Sequence, residues 1–448
     1  MKTKLYLIAL SWLMISNAAQ AQFETVAQIT TQKGDPHAIH FINENIGYAC
    51  GEEAGRGVMY KTVNGGTDWT KFYTSEVDLQ WISDIFFLDE NIGYALKKDG
   101  IYGSVLKTVN GGDDGTEYVL PGYRGRSMYF LTTDKGFIVG GVNGKEISGE
   151  GTGVFYKTTN GGQSWETVSL PSSSYYHHIS YLNKINFVND QLGFIAGDNS
   201  LFVTKNSGDS WINVSDNYRI WLEEYNVYEF PFPESFTGTS DLNWFTAGSG
   251  GIRKTTDGGN NWQWATLPEI PSDYRYSIRD IKFVSPQVGI AVGGYAYAPD
   301  PYADAHGVIL KTIDGGNTWV KLPKEIETWG LDIHAVNDQI LYSIGYSWTV
   351  DKTTNAGGEL LGISENGEWI NDAKIYPNPA NNTLYFSESV FENQTATVKI
   401  YSLDGQLIET QNLNANQPKI DISSLTNGIY LLEVKSGKNS FKQKIIKN

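Results

Sequence analysis

The sequence predicts an all-β protein, a seven-bladed β-propeller followed by a small Ig-like β-sandwich, and three observations carry that prediction. A turn phrase, Thr-x-Asn/Asp-Gly-Gly, recurs about every 50 residues, with its polar residue at Asn64, Asn110, Asn160, Asp257 and Asp314, and in close copies at Asn206 and Asn355 where Ser207-Gly208 and Ala356-Gly357 replace the Gly pair. A strand-like phrase with period-2 alternation precedes the turns, as in Ile39-His40-Phe41 leading to Gly47-Tyr48-Ala49, and it too has seven copies. Composition agrees, since 48 Gly, 27 Tyr, 19 Phe and 13 Trp suit short strands joined by many turns.

The turn is a tight hairpin. The Asn or Asp side chain folds onto backbone N–H groups just downstream, and the Gly pair takes positive-φ positions that other residues resist. Trp69, Trp165, Trp211, Trp262 and Trp319 follow their turns and can each seal a gap between neighbouring blades. The copy at Asn110 departs from the pattern, with Gly115 where Trp is expected, so its blade should pack more loosely. These phrases resemble the Asp-box repeat of sialidase-type (BNR) proteins. That resemblance implies a fold device lying away from any active site, and the overall repeat style is similar to single propellers of the photosystem II assembly-factor type, which are binding scaffolds.

Taken in order, the chain opens with Lys2 and Lys4, an apolar run over 5–15 and Ala19-Gln20-Ala21, which reads as an export signal over 1–21. The propeller is expected over 22–366. Its last blade has no Trp-bearing outer strand. Phe23-Glu24-Thr25-Val26 matches Trp165-Glu166-Thr167-Val168, so the first strand of the mature chain can close the ring; completion by residues 359–363 is the alternative. A polar linker follows at 367–374, and then a strand-and-turn module at 375–448. Tyr376-Pro377-Asn378-Pro379, Gly428-Ile429-Tyr430 and a Lys-rich end closely resemble the type A C-terminal sorting domain of Bacteroidetes type IX secretion. The resemblance implies handling by the type IX machinery and delivery through the periplasm to the medium or the outer cell surface.

Net charge is −16, from 34 basic against 50 acidic residues, which argues against nucleic acid or an anionic membrane as partner. One cysteine, Cys50, lies in an apolar strand and reads as a buried small side chain. No cofactor motif occurs. Metal binding finds no support, because His37/His40 and His177/His178 lack companion ligands. The chain is expected to be monomeric.

In a four-stranded meander the turns sort into two faces. The uniform turns lie on one, and the long variable loops lie on the other, which is the expected binding face. Residues just before each strand-like phrase should rim the central funnel: His37, Asp84, Arg126, Lys184, Arg279, Asp280 and Asp332, with Trp81 and Tyr181 among nearby aromatics. The expected function is non-catalytic binding of a glycan or protein ligand there. The rival is a sialidase-like or other glycoside hydrolase using funnel carboxylates. Tyr218-Arg219-Ile220 superficially resembles the Arg-bearing motif of sialidases but lies mid-chain and lacks the following Pro.

Overall fold

In the computed structural model, the described residues are 23–447 apart from 143–150, 174–177, 223–226, 230, 299–303, 323, 325–328, 358–374, 378–379, 388–389, 392–394, 402–406, 427 and 437–438. The expected export signal, linker and local completion at 359–363 therefore lie outside the described residues. The chain divides into two compact units, Met1–Glu359 and Leu360–Asn448.

The first unit is a seven-bladed β-propeller, each blade a four-stranded antiparallel meander. The innermost strands are Pro36–Phe41, Gln80–Phe87, Gly125–Phe130, Leu182–Phe187, Pro233–Gly238, Tyr274–Phe283 and Gly330–Ala335. Each packs beside the next, and the last packs beside the first, so the ring is closed. Closure uses the N-terminal strand: Glu24–Gln28 pairs antiparallel with Thr349–Thr353 as the fourth strand of blade seven. Phe23 is buried beneath it at 1% exposure, and the Thr25 hydroxyl donates to Asp351 at 2.8 Å. Two open sheet edges are thereby removed.

Repeated residues sew each blade to its neighbour. The aromatic at the second position of one blade's second strand stacks on the Phe that ends the next blade's innermost strand: Tyr48 on Phe87 and Tyr342 on Phe41 at 3.5 Å, Tyr94 on Phe130 at 3.9 Å and Phe245 on Phe283 at 4.3 Å. That Phe lies over its own blade's Gly; a Cβ on Gly47 would come within 2.5 Å of the Phe41 ring, so the phrase requires glycine there.

The turns behave as their sequence demands. In the first, Asn64 Oδ1 accepts the Asp68 N–H at 3.0 Å, Thr62 Oγ1 accepts the Gly66 N–H at 3.1 Å, and Gly65 and Gly66 have φ of 70° and 86°. The Lys before the turn reaches onward: Lys61 donates to the Gly111 carbonyl at 3.1 Å and Lys107 to that of Gly161 at 2.7 Å. Trp165, Trp211, Trp262 and Trp319 join clusters that span two adjacent blades. Where the second turn lacks Trp, Phe72 of blade one packs against Gly112 and edge-on to Tyr48 at 6.2 Å, so a neighbouring ring fills the seat that looked empty in the sequence.

The second unit is a β-sandwich. One sheet orders Ile375–Tyr376, Thr383–Phe386 and Lys419–Asp421; the other orders Leu407–Asn414, Thr395–Tyr401, Gly428–Ser436 and Asn439–Lys447. Leu384, Phe386, Val398, Ile400, Leu432, Val434 and Ile445 form its core. Tyr430 is buried and donates to the Thr426 carbonyl at 2.8 Å, while Tyr376 is half-exposed with its ring near Tyr385. Asn378 and Pro379 lie outside the described residues.

Candidate functional site

All seven innermost strands carry a β-bulge at the same level, and the bulges build the funnel. The register skips one residue in each strand: His37, Ser83, Arg126, Asn183, Glu234, Arg279 and Leu331. A bulge bends the strand and re-aims the extra side chain, and all seven line one cavity of about 460 Å³ at the loop-rich end. The residue after each bulge begins a deeper tier: Ala38, Asp84, Ser127, Lys184, Ser235, Asp280 and Asp332. The residues that sequence reasoning placed on one rim thus belong to two levels, with His37, Arg126 and Arg279 in the upper tier and Asp84, Lys184, Asp280 and Asp332 in the lower.

The lower tier is a stitch. Asp84 accepts the Met128 N–H of blade three at 2.7 Å, Asp280 accepts that of Ile333 at 3.4 Å, and Asp332 accepts that of Ile39 at 3.0 Å, so each carboxylate holds the backbone of the next blade. Asp280 also accepts the Ser235 hydroxyl at 2.7 Å. Lys184 reaches across the axis to Asp332 at 2.5 Å and Asp280 at 3.3 Å.

Electrostatics follow from this geometry. Burial pushes the Asp84 carboxyl up to about 6. Burial would raise Asp280 too, but the Lys184 and Lys282 ammonium charges hold it well below the usual carboxylate range. Asp332 is raised by burial, with the Lys184 charge opposing. Burial works against charge on Lys184, yet the Asp280, Asp332 and Asp84 carboxylates outweigh it and hold its affinity for a proton high.

Part of the upper tier is stitched as well. Ser83 donates to the Gly125 carbonyl at 3.1 Å and Asn183 to that of Pro233 at 3.1 Å. His37 Nδ1 lies 2.8 Å from the Ile82 carbonyl, and burial lowers the ring to about 4, so the neutral imidazole donates there. The charged members instead meet one another across the mouth. Arg279 Nη1 is 2.8 Å from Glu234 Oε1, and Arg126 Nη2 is 3.8 Å from Glu234 Oε2. Aromatic walls flank them: the Arg279 guanidinium lies 5.2 Å from the centre of the Trp329 ring, that of Arg126 5.8 Å from Tyr181, and Lys98 Nζ 4.1 Å from Trp81.

Sequence reasoning missed Glu234, Lys98 and Trp329. The first sits in the blade whose innermost strand, Pro233-Glu234-Ser235-Phe236, departs most from the repeated phrase, and the other two come from a second strand and a loop. Conversely, Tyr218 and Arg219 are not in the cavity wall. The Tyr218 side chain is buried between blades four and five with its hydroxyl 2.8 Å from that of Thr246. Among the described residues no group of three or more His, Cys, Asp or Glu is arranged to hold a metal ion.

Comparison with known proteins separates the two units. Residues 374–448 match the family described as the secretion system C-terminal sorting domain. The tail is a type IX secretion sorting domain. This sorting domain implies export, with secretion or display at the cell surface. The propeller is similar in fold to YCF48 from Cyanidioschyzon merolae (TM-score 0.52, 14% identity, 74% of this chain and 98% of that one) and to a structure described as YCF48 bound to D1 peptide (0.52, 14%, 72% and 94%). It is similar too to a GH74 xyloglucanase from Xanthomonas campestris (0.52, 14%), where the match spans 76% of this chain but 55% of the enzyme. At such identity these likenesses show the fold alone. A search of curated proteins returns no sequence match.

Proposed function

We propose that the chain is an exported, non-catalytic propeller that binds a glycan or protein ligand on its loop-rich face, with the funnel mouth as the seat. One observation carries this reading. Asp84, Asp280 and Asp332 are committed to amides of the next blade, and Lys184 bridges two of them, so they are building material and not a pair of free catalytic acids. The tier above offers guanidiniums, an ammonium and aromatic walls around a cavity large enough for a sugar ring or a peptide end. One fold neighbour is described as YCF48 bound to D1 peptide and another, matched over 55% of its length, as a xyloglucanase, so the fold by itself does not choose between binding and hydrolysis.

The test is a glycan-array and peptide-library screen of the full chain, repeated with Arg126→Gln and Arg279→Gln. The reading expects ligands lost by both variants; ligands bound equally by all three proteins would place recognition elsewhere. The hydrolase reading draws support from Asp84, whose carboxyl stays protonated to a pH of about 6 at the cavity wall. Hydrolysis of any screened glycan that Asp84→Asn abolishes without loss of binding would favour it.

A further inference from the structure

We infer that the funnel mouth is a carboxylate seat that Glu234 occupies in the free protein. The inference rests on the binding reading above and names its ligand chemistry. Two guanidiniums, those of Arg126 and Arg279, converge on one internal carboxylate, and the fit is uneven: 2.8 Å on one side and 3.8 Å on the other, beyond hydrogen-bond reach. Glu234 sits on a bulge, outside the ladder of its strand, and its side chain keeps a quarter of its surface in water. Its partners Arg126 and Arg279 stay partly exposed towards the cavity.

A guanidinium is a donor only, and what balances two of them must be an acceptor that carries negative charge. A cavity in which two guanidiniums converge on one carboxylate suits an anion with two planar oxygens, since the guanidinium fork matches that geometry.

Glu234 then acts as a placeholder. It neutralises the guanidiniums while the seat is empty and competes with an incoming carboxylate, so an entering acid exchanges one ion pair for another and gains the bonds that Glu234 does not make. A neutral ligand would have to leave the Arg–Glu pair intact and gains none of this. The same chemistry is offered by a hexuronic acid and by the C-terminus of a peptide.

Titration calorimetry of the full chain can decide the matter with four probes: galacturonic acid and its methyl ester, and trialanine and its C-terminal amide. Expected is binding of at least one acid with its neutral partner bound about tenfold more weakly or not at all, and a weakening of about tenfold in Arg126→Gln and in Arg279→Gln. Glu234→Gln, by removing the competitor, should tighten the acid by about tenfold. Which acid binds identifies the source. Equal binding of acid and neutral form, or weaker acid binding by Glu234→Gln with an unchanged thermal midpoint, overturns the inference while leaving the broader reading in place. Failure of all four probes on the parent chain and on Glu234→Gln also overturns it, and the broader reading is then judged by its own screen. Should Glu234→Gln not fold, loss of acid binding on raising salt from 50 to 500 mM, about the loss expected of a screened ion pair, keeps the question open to refutation through the Arg variants.

Discussion

Asp84 is a single carboxylate accepting two backbone N–H groups, its own neighbour Ile85 at 2.9 Å and Met128 of the next blade at 2.7 Å. Burial raises its folded value to about 6 from an ordinary 3.8. The folded chain therefore holds a proton that the unfolded chain releases across that window, and this group makes stability fall as pH rises from about 4 to about 6. Asp84→Asn should remove that slope. It should also cost about 1–3 kcal/mol, because an amide can accept one of the two N–H groups but presents a donor to the other; thermal melts between pH 4 and 7 check both. Lys184→Met should be more severe, about 3–5 kcal/mol, since it strands two buried carboxylates that share one ammonium. A melt within 2 °C of the parent protein would refute that role for Lys184.

At the scale of the element, the recurring bulge matters most. A bulge adds one residue with no compositional mark, so the period-2 reading of Ile39 to Phe41 or Ile281 to Phe283 was legible while the two-tier funnel above them was not. His37, Arg126 and Arg279 therefore seemed to share a rim with Asp84, Asp280 and Asp332, although the first set lies on the bulges and the second one residue deeper, where each carboxylate holds the backbone of the next blade. Box turns and their glycines were legible because Asn64, Gly65 and Gly66 have few other conformational uses. The closing strand was legible through the likeness of Phe23 to the Trp that starts other outer strands. Phe23→Ala should cost about 3–5 kcal/mol at this fully buried site. Removal of residues 23–29 should leave the edge of Thr349–Thr353 unpaired and drive association, which light scattering would detect.

On the scale of the whole molecule, the chain joins an export tail to a closed ring, and under the proposed function the two carry separate tasks. Deleting residues 374–448 should stop delivery beyond the outer membrane and leave ligand affinity of the ring within twofold, measured by fractionation and titration. The export tail was legible in sequence because its motifs are compact, as at Tyr376-Pro377 and Gly428-Ile429-Tyr430. The ligand chemistry was not, because Glu234 and Lys98 reach the funnel only through folding.

The most direct test of the account is a crystal structure of the full chain with the ligand its screen selects. The account predicts density at the funnel mouth within hydrogen-bond distance of Arg126 and Arg279, above an undisturbed Asp84–Met128 and Lys184–Asp332 tier. Ligand seated against the uniform turns of the opposite face, or cleaved product beside displaced Asp84 and Asp332 side chains, would contradict it.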